Sequence, residues 1–346
     1  MRRRSLVRGL AAGAVTLPVT GITLGGATRS AAAADSYRIA ITDHVSNTIM
    51  VYDRAAADWN GDPLWSFSAG SADGWNDPLE FRMRECYFGD EVGTLVMVAH
   101  GRGDSGRVGL MRLTSDAHLT QGDLIWTDHL TTYPHSIERV PDIGAIVVAS
   151  TDKGGWLHLY VQMTGGDPSS VEPVRSYEFY EAHGVLWDPA SQLLWASGGP
   201  YVRSYRVTGS KANVALEEYG TPIILNPYNR DLPEDEWIGN GHDIQPDYAD
   251  PNRLLVTDSW GCYYIDKSTR LSHDLGGNGF NTDFVKSFVR HWNGEYLLTA
   301  DPTSEDSGHW GGPTVYFLDA GGQVVDTRTC DGSENYKARI VTHQFQ

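Results

Sequence analysis

Three histidines occupy matching places in three similar stretches of this sequence. His135 lies in PHSIERV, His183 in AHGVLWD and His242 in GHDIQPD. Each stretch has the alternating pattern of a β-strand. Imidazole is the side chain best suited to exchanging protons or binding a metal near neutral pH. Three imidazoles at equivalent positions therefore predict a shared site.

Basic residues hold the corresponding places in three further stretches, with Arg84 in MRECYFGD, Lys286 in VKSFVRHW and Lys337 in YKARIVTH. Superimposing all six stretches predicts one ring of imidazole, ammonium and guanidinium groups. Like charges gathered at one level are costly unless an anion or an acidic partner compensates them. The ring therefore indicates a site for an acidic ligand, whereas a single histidine of this kind would more simply be a core residue.

The elements that position this ring belong to a unit that recurs six times, an apolar strand followed by a turn and a second strand. The copies begin at residues 38, 94, 145, 192, 253 and 296. Gly, Asp, Asn and Pro mark the turns, and long amphipathic helical patterns are absent from the sequence. Five copies follow a further short strand. The first copy has none, and the chain ends in YKARIVTHQF, which matches the missing unit.

This pattern predicts an all-β fold, a six-bladed β-propeller with four strands in each blade. Residues 335–345 should form the inner strand of the blade that contains residues 37–68. Pairing of that kind closes the ring and removes open sheet edges. Because the first strand of each blade lines the central channel, the six aligned residues should meet at the mouth of the channel.

Through the phrases PHSIERVP, AHGVLWDP and GHDIQPD, essentially the whole mature chain resembles secreted bacterial six-bladed propellers of a family without an assigned function. More loosely, it is similar to propeller polysaccharide lyases such as the oligogalacturonate lyases. This second resemblance implies histidines and basic residues at the channel mouth, some of them holding manganese. The histidine and glutamine ligand pattern of those lyases is not reproduced in this sequence, so neither their metal nor their substrate is carried over.

The first 34 residues read as a leader. A basic head with Arg3 and Arg4 precedes a weakly apolar Gly/Ala-rich stretch, and alanines 31–34 offer a cleavage site. The sequence thus predicts a twin-arginine-type export signal over residues 1–34, with an ordinary Sec signal as the alternative. Residues 35–346 then form a single propeller domain. No later segment has the ~20 apolar residues of a membrane-spanning helix, so we expect a secreted, extracellular protein.

The chain contains 27 basic and 44 acidic residues, and five of the basic residues lie in the leader. So acidic a domain is a poor general partner for nucleic acid or anionic membranes. Separately, we expect the protein to be a monomer. The cysteines are Cys86, Cys262 and Cys330, without a CxxC or a Cys/His metal spacing. We expect them to be unpaired packing residues, with a Cys262–Cys330 disulfide as the alternative.

Two long loops contribute further candidates for substrate binding, since long loops in compact folds often bind ligands. Residues 219–241 carry Tyr228, Arg230 and Trp237, and residues 301–313 carry His309 and Trp310. Aromatic side chains at such a rim can stack on sugar rings. Tyr133, two residues before His135, can reach the same site.

These residues predict a lyase that acts on an acidic, uronate-containing glycan. Arg84, Lys286 and Lys337 would neutralise the carboxylate. A histidine (His135, His183 or His242) would remove the adjacent proton, and Tyr133 would protonate the leaving oxygen. A hydrolase is a weaker variant, because a pair of carboxylates does not stand out.

Two other classes of function stay open. The first is a metal-dependent enzyme in which the same three histidines hold a divalent ion such as Mn, Zn or Ca. Neighbouring lysine and arginine side chains argue against an added cation. The second is a non-catalytic glycan-binding or scaffold propeller, since this fold often only binds.

Overall fold

The computed structural model describes residues 36–70, 74–152, 154–233, 237, 239–275, 280, 284–300 and 310–345. The leader predicted at residues 1–34 lies outside these residues. Within the described part of the chain, strands alternate with turns and four short 3-10 helices, Gln121–Asp123, Pro168–Ser170, Lys211–Asn213 and Pro227–Asp231. In the same part, no helix is long and apolar enough to cross a membrane.

Six antiparallel sheets form the blades of a six-bladed β-propeller, which confirms the predicted fold. Within each blade, the strands run from the inner to the outer strand in the following order. Blade 1 consists of Asn335–Ile340, Arg38–Asp43, Thr48–Asp53 and Trp65–Ser68, blade 2 of Pro78–Phe88, Glu91–His100, Gly106–Arg112 and Leu124–Leu130, and blade 3 of Tyr133–Val140, Ala145–Thr151, Trp156–Gln162 and Val171–Glu178. Blade 4 consists of Ala182–Asp188, Leu193–Gly198, Tyr201–Thr208 and Ala215–Glu218, blade 5 of Asp243–Pro246, Arg253–Asp258, Gly261–Asp266 and Leu271–Asp274, and blade 6 of Val285–Arg290, Tyr296–Ala300, Thr314–Leu318 and Val324–Thr329.

The ring closes through its last strand, as the sequence predicts. Asn335–Ile340 pairs antiparallel with Arg38–Asp43, so that Ile340 faces Ile39 and Ala338 faces Ile41. These four apolar side chains are buried. Their burial stabilises a pairing between two segments from opposite ends of the chain.

Two short strands extend the four-stranded blades. His118–Thr120 comes from the outer connection of blade 2 and pairs in parallel with Trp65–Ser68 of blade 1. In blade 4, Ile223–Ile224 pairs with the third strand. Blade 1 is therefore assembled from three separate chain segments.

Apolar clusters fill the spaces between adjacent blades, and the cysteines belong to them. Cys86, Cys262 and Cys330 are buried as free thiols, and each packs in a different cluster. This confirms the prediction of unpaired packing residues. The alternative Cys262–Cys330 disulfide is not present.

Candidate functional site

A β-bulge recurs near the start of the inner strands and sets the level of the site. In blade 3, Pro134 faces Ser150 and Ser136 faces Ala149, which leaves His135 as the extra residue. The same shift leaves His183 extra in blade 4, Lys286 in blade 6 and Leu79 in blade 2. A bulge re-aims the extra side chain, so these residues stand at one equivalent position.

The remaining two blades follow the same geometry. His242 precedes the inner strand of blade 5 and donates its backbone N–H to Thr257 O at 2.9 Å. In blade 1, the register shift falls at Tyr336 and Lys337, opposite Thr42. Of that pair, Tyr336 lines the cavity at this level.

This cavity, which we call the axial cavity, has a volume of about 390 Å³ and opens at this end of the channel. Five of its residues come from the bulge level of blades 3, 4, 5, 6 and 1, and the rest come from neighbouring loops. Its lining consists of Arg102, Gly103, Tyr133, His135, Thr151, Asp152, Glu181, His183, Asn240, His242, Lys286, Trp310 and Tyr336. The structure therefore brings the three predicted histidines together with Tyr133, Lys286 and Trp310.

The three imidazoles form a contiguous row across blades 3, 4 and 5. The ring centroids of His135 and His183 are 4.3 Å apart, and those of His183 and His242 are 5.2 Å apart. The Tyr133 ring lies 4.2 Å from that of His135. Base and phenol are thus close enough to act on one ligand.

Hydrogen bonds determine which ring nitrogens of His135 and His183 have a partner within the protein. His183 Nδ1 lies 2.8 Å from the Glu181 carbonyl oxygen. Because a carbonyl only accepts, Nδ1 carries the proton and Nε2 keeps the lone pair. His135 uses both ring nitrogens, at 3.1 Å from Tyr336 Oη and 3.1 Å from Thr151 Oγ1. His183 is therefore the histidine best prepared to accept a proton.

Burial makes these histidines neutral at pH 7. It lowers the pKa of His183 to about 4, and the positive charges of Lys337 and Lys286 act in the same direction. Burial and neighbouring positive groups also hold the pKa values of His135 and His242 well below the usual range. The row is thus a set of neutral bases and not an additional source of positive charge.

The cavity is polarised by its charged residues. Arg102 of blade 2 and Lys286 of blade 6 lie on one side, and Asp152 and Glu181, at the junction of blades 3 and 4, lie on the other. Asp152 and Glu181 have φ values of 64° and 50°, a left-handed conformation that costs energy outside glycine and is common at functional sites. Burial, followed by the charge of Asp152, raises the pKa of Glu181.

Lys337 does not line the cavity, which corrects the expectation that it shares one level with the histidines. It is the second residue of the blade 1 bulge, after Tyr336, is fully buried, and donates from Nζ to Glu80 Oε2 at 3.3 Å and to the His135 carbonyl at 2.8 Å. Its position is in the floor beneath the histidine row. Its ammonium group is therefore paired inside the protein, with the Glu80 carboxylate and the His135 carbonyl.

Arg84 is also placed elsewhere. The inner strand of blade 2 is eleven residues long, and Arg84 lies five residues beyond the bulge residue Leu79, about 16 Å along the strand. There it forms two hydrogen bonds to Glu138, at 2.9 and 2.6 Å, and contacts Phe345. The expected ring of six thus loses Arg84 and Lys337 and gains Tyr336 and Leu79 at the equivalent positions.

A buried charge network fills the channel beneath the cavity. Its members are Glu80, Arg82, Arg84, Glu138, Asp243, Lys337 and Arg339. Arg339 donates to both Glu80 and Asp243 over distances of 2.7 to 2.9 Å. Buried charges are tolerated when they are paired with charges of opposite sign and hydrogen-bonded. The network forms the floor of the site.

The predicted residues of loop 219–241 lie away from the axial cavity. Tyr228 Oη donates to Asp274 at 3.0 Å, Arg230 donates to Ser272, and Trp237 Nε1 donates to the Leu232 carbonyl at 2.9 Å. Because Ser272 and Asp274 belong to the outer strand of blade 5, they hold Tyr228 and Arg230 at the periphery, whereas Asn240 at the end of the same loop lines the axial cavity. His309 lies outside the described residues.

The histidines do not fit the metal alternative. His135 uses both ring nitrogens, His183 uses Nδ1, and His242 Nε2 lies 3.1 Å from Ser259 Oγ while its Nδ1 is buried without a hydrogen-bond partner in the described part of the chain. Hydrogen bonds within the described part of the chain thus occupy four of the six ring nitrogens. Among the described residues, no group of three His, Cys, Asp or Glu side chains is arranged to hold a metal ion.

Comparison with known proteins shows the fold and no family. No family model matches the chain, and no curated protein matches it. Among solved structures, it is similar to a chain of a nidogen/laminin complex, with 10% identity, a TM-score of 0.54, and coverage of 89% of this chain and 99% of that chain. A protein from Lactobacillus plantarum gives 11% identity, a TM-score of 0.54, and coverage of 89% and 100%.

The periplasmic gluconolactonase of Pseudomonas aeruginosa is similar to the same degree, with 11% identity, a TM-score of 0.53, and coverage of 89% of this chain and 100% of that chain. The structural similarity shows a common propeller architecture, and at identities this low it shows no more than the fold. The family resemblance seen in the sequence stays a prediction.

Proposed function

We propose that this propeller is an enzyme that acts on an acidic carbohydrate in the axial cavity, as a lyase of uronate-containing glycans. The observation that carries the proposal is that His135, His183 and Lys286, at the bulge of blades 3, 4 and 6, line one cavity together with His242, which directly precedes the inner strand of blade 5. A neutral base, a cation and a phenol are the groups that β-elimination beside a carboxylate requires.

In the proposed reaction, His183 Nε2 accepts the proton on the carbon next to the substrate carboxylate. The electron pair left behind forms the carbon–carbon double bond, and the bond to the glycosidic oxygen breaks. Tyr133 supplies a proton to that oxygen. Burial raises the pKa of Tyr133, so its hydroxyl stays protonated and able to donate. Lys286 stabilises the charge that develops on the carboxylate.

Hydrolysis of a sugar lactone is the second candidate. Two observations favour it. The carboxylates of Asp152 and Glu181 line the same cavity and could hold a water molecule, and one of the propellers of similar fold is a gluconolactonase. In this case His183 would activate the water. Both candidates require an acidic or acid-derived sugar.

The test is turnover of a panel of polyuronates, read as the ultraviolet absorbance of the unsaturated product, with sugar lactones assayed in parallel. His183→Ala should lower kcat about a hundredfold or more, the usual worth of a general base. His158→Ala is the matched control, because burial also lowers the pKa of His158 to about 4 while the residue lies outside the axial cavity. The proposal fails if the two variants lose activity equally or if no acidic sugar is turned over.

Chelation separates the metal alternative from this mechanism. Treatment with EDTA should leave the rate unchanged, because the proposed steps use protein groups only. Loss of activity that Mn or Zn restores would favour the metal-dependent class instead.

A further inference from the structure

Arg102 and Lys286 converge on one tryptophan at the wall of the axial cavity. Arg102 Cζ lies 5.5 Å from the centroid of the Trp310 ring, and Lys286 Nζ lies 5.7 Å from it. Both distances are within the ~6 Å at which a cation is attracted to an aromatic ring. One indole therefore positions two cations that come from blades 2 and 6.

Trp310 is itself held in place. Its backbone N–H donates to Glu334 Oε1 at 2.6 Å, and the backbone N–H of Glu334 donates to Asp43 Oδ1 at 2.8 Å. Asp43 ends the second strand of blade 1. The indole is thus anchored to the propeller frame, and the two cations that lie against it share that anchor.

Arg102 lies beside the Tyr133 phenol, whose pKa its charge lowers against the effect of burial. Among the described residues, the carboxylate nearest to Arg102 is that of Asp77, 4.0 Å from Nε and beyond hydrogen-bond distance, and the Arg102 side chain is 50% exposed. A guanidinium offers five donors in a planar fork that matches the two oxygens of a carboxylate. The cavity-lining carboxylates of Asp152 and Glu181 come from blades 3 and 4.

We propose that Arg102, Lys286 and Trp310 form the subsite that binds the carboxylate of the substrate. Arg102 binds both oxygens, Lys286 adds the second charge, and Trp310 fixes the distance between them. Asp152 and Glu181 repel a second acid group from the opposite wall and accept hydrogen bonds from sugar hydroxyls, so an acidic sugar enters in one orientation. The inference rests on the proposed function, since it identifies which part of the acidic sugar each side of the cavity recognises.

Binding is measured by calorimetric titration with trigalacturonate, a glucuronate disaccharide and gluconate, which reports affinity whether or not the sugar is cleaved. Arg102→Gln should weaken binding of the anionic sugars that the wild-type protein binds by about tenfold to a hundredfold, the usual loss for a hydrogen bond to a charged group. Arg102→Lys keeps the charge and should lose less. The methyl ester of trigalacturonate lacks the charge and should bind wild type and Arg102→Gln alike.

Arg112→Gln is the matched control. Arg112 belongs to the same blade, lies 4.7 Å from the Phe88 ring, pairs with Glu91 and has a side-chain exposure of 41%, but it does not line the axial cavity. It should bind every probe as the wild type does. Thermal midpoints of all variants verify folding.

The outcomes separate this inference from the proposed function. Loss of affinity in Arg102→Gln without turnover of any glycan supports the subsite and removes the lyase. Turnover with equal affinity in Arg102→Gln and Arg112→Gln overturns the subsite and leaves the lyase. Absence of binding of all anionic probes to the wild-type protein overturns the subsite, as does a sulfated sugar that binds more tightly than every carboxylate.

Discussion

Replacing Arg339 by Met should cost about 3 to 5 kcal/mol of unfolding free energy, the range measured when one partner of a buried ion pair is removed. Arg339 is 3% exposed and donates four hydrogen bonds to carboxylates, two to Glu80 and two to Asp243. Met keeps an unbranched, largely aliphatic stem but pairs with neither carboxylate. Lys337, which lies 3.3 Å from Glu80 and 3.8 Å from Asp243, cannot compensate both.

The stability loss in Arg339→Met should also depend on pH, and the direction of this dependence follows from the pKa of Glu80. In the native protein, burial alone would raise the pKa of Glu80, but the charges of Arg339, Lys337 and Arg82 outweigh it and hold that pKa below its ordinary value of 4.5. Ionised Glu80 therefore stabilises the wild-type protein above about pH 4.5, and this contribution is lost as the pH falls. Without Arg339, burial dominates and the pKa of Glu80 moves upward. The deficit of the variant should then grow as pH rises from 4.5 and shrink as pH falls.

Equilibrium urea unfolding followed by tryptophan fluorescence, at several pH values, measures both effects. Glu80→Gln in the Arg339→Met background should recover part of the loss, because a neutral amide costs less to bury than an unpaired carboxylate. Arg112→Met removes an exposed pair with Glu91 and should cost less than about 1 kcal/mol. An Arg339→Met protein as stable as Arg112→Met, or a deficit that does not depend on pH, would refute the reasoning.

Two further predictions concern the ends of the chain. Deleting residues 335–346 should abolish the cooperative thermal transition, because blade 1 loses its inner strand and the charge network loses Lys337 and Arg339; a synthetic peptide of residues 334–345 should restore it. A truncated protein with the wild-type thermal midpoint would contradict this expectation. If residues 1–34 are a twin-arginine signal, replacing Arg3 and Arg4 together by Lys should leave the precursor in the cytoplasm, as judged by fractionation, whereas undiminished secretion would favour the Sec route.

The fold could be predicted because its unit, the blade, recurs six times in the sequence. The repeated pattern of strands and turns gives the number of blades and shows that the first blade lacks one strand. His135, His183, His242 and Lys286 could be predicted for the same reason. Strand alignment places Arg84 at the wrong level because the bulge of blade 2 carries Leu79, an apolar residue without a chemical signal. In blade 1, a one-residue difference separates Tyr336 from Lys337, and only pairing across the sheet resolves it.

Arg102 could not be predicted from strand alignment, because it lies in the turn between the second and third strands of blade 2. The only signal is the segment GRGDSG, in which a basic residue sits between two glycines. The residues of loop 219–241 are misplaced for the opposite reason. Length and aromatic content indicate a binding loop, but side-chain bonds to the outer strand of blade 5 hold Tyr228 and Arg230 away from the axial cavity, which the loop lines through Asn240 instead.

The closure of blade 1 also means that the first strand of the chain must wait for the last strand to be synthesised before the two can pair. Asp43 and its partner Asn335 are separated by about 300 residues, and a ribosome that adds about 5 to 20 residues per second needs about 15 to 60 s to make that interval. During this time the edge of Arg38–Asp43 has no inner strand, and an open edge rich in apolar residues can pair with another nascent chain. Blade 1 is therefore the first blade to be synthesised and the last to be completed, and the yield of native protein should depend on how well that edge is shielded while the other five blades are made.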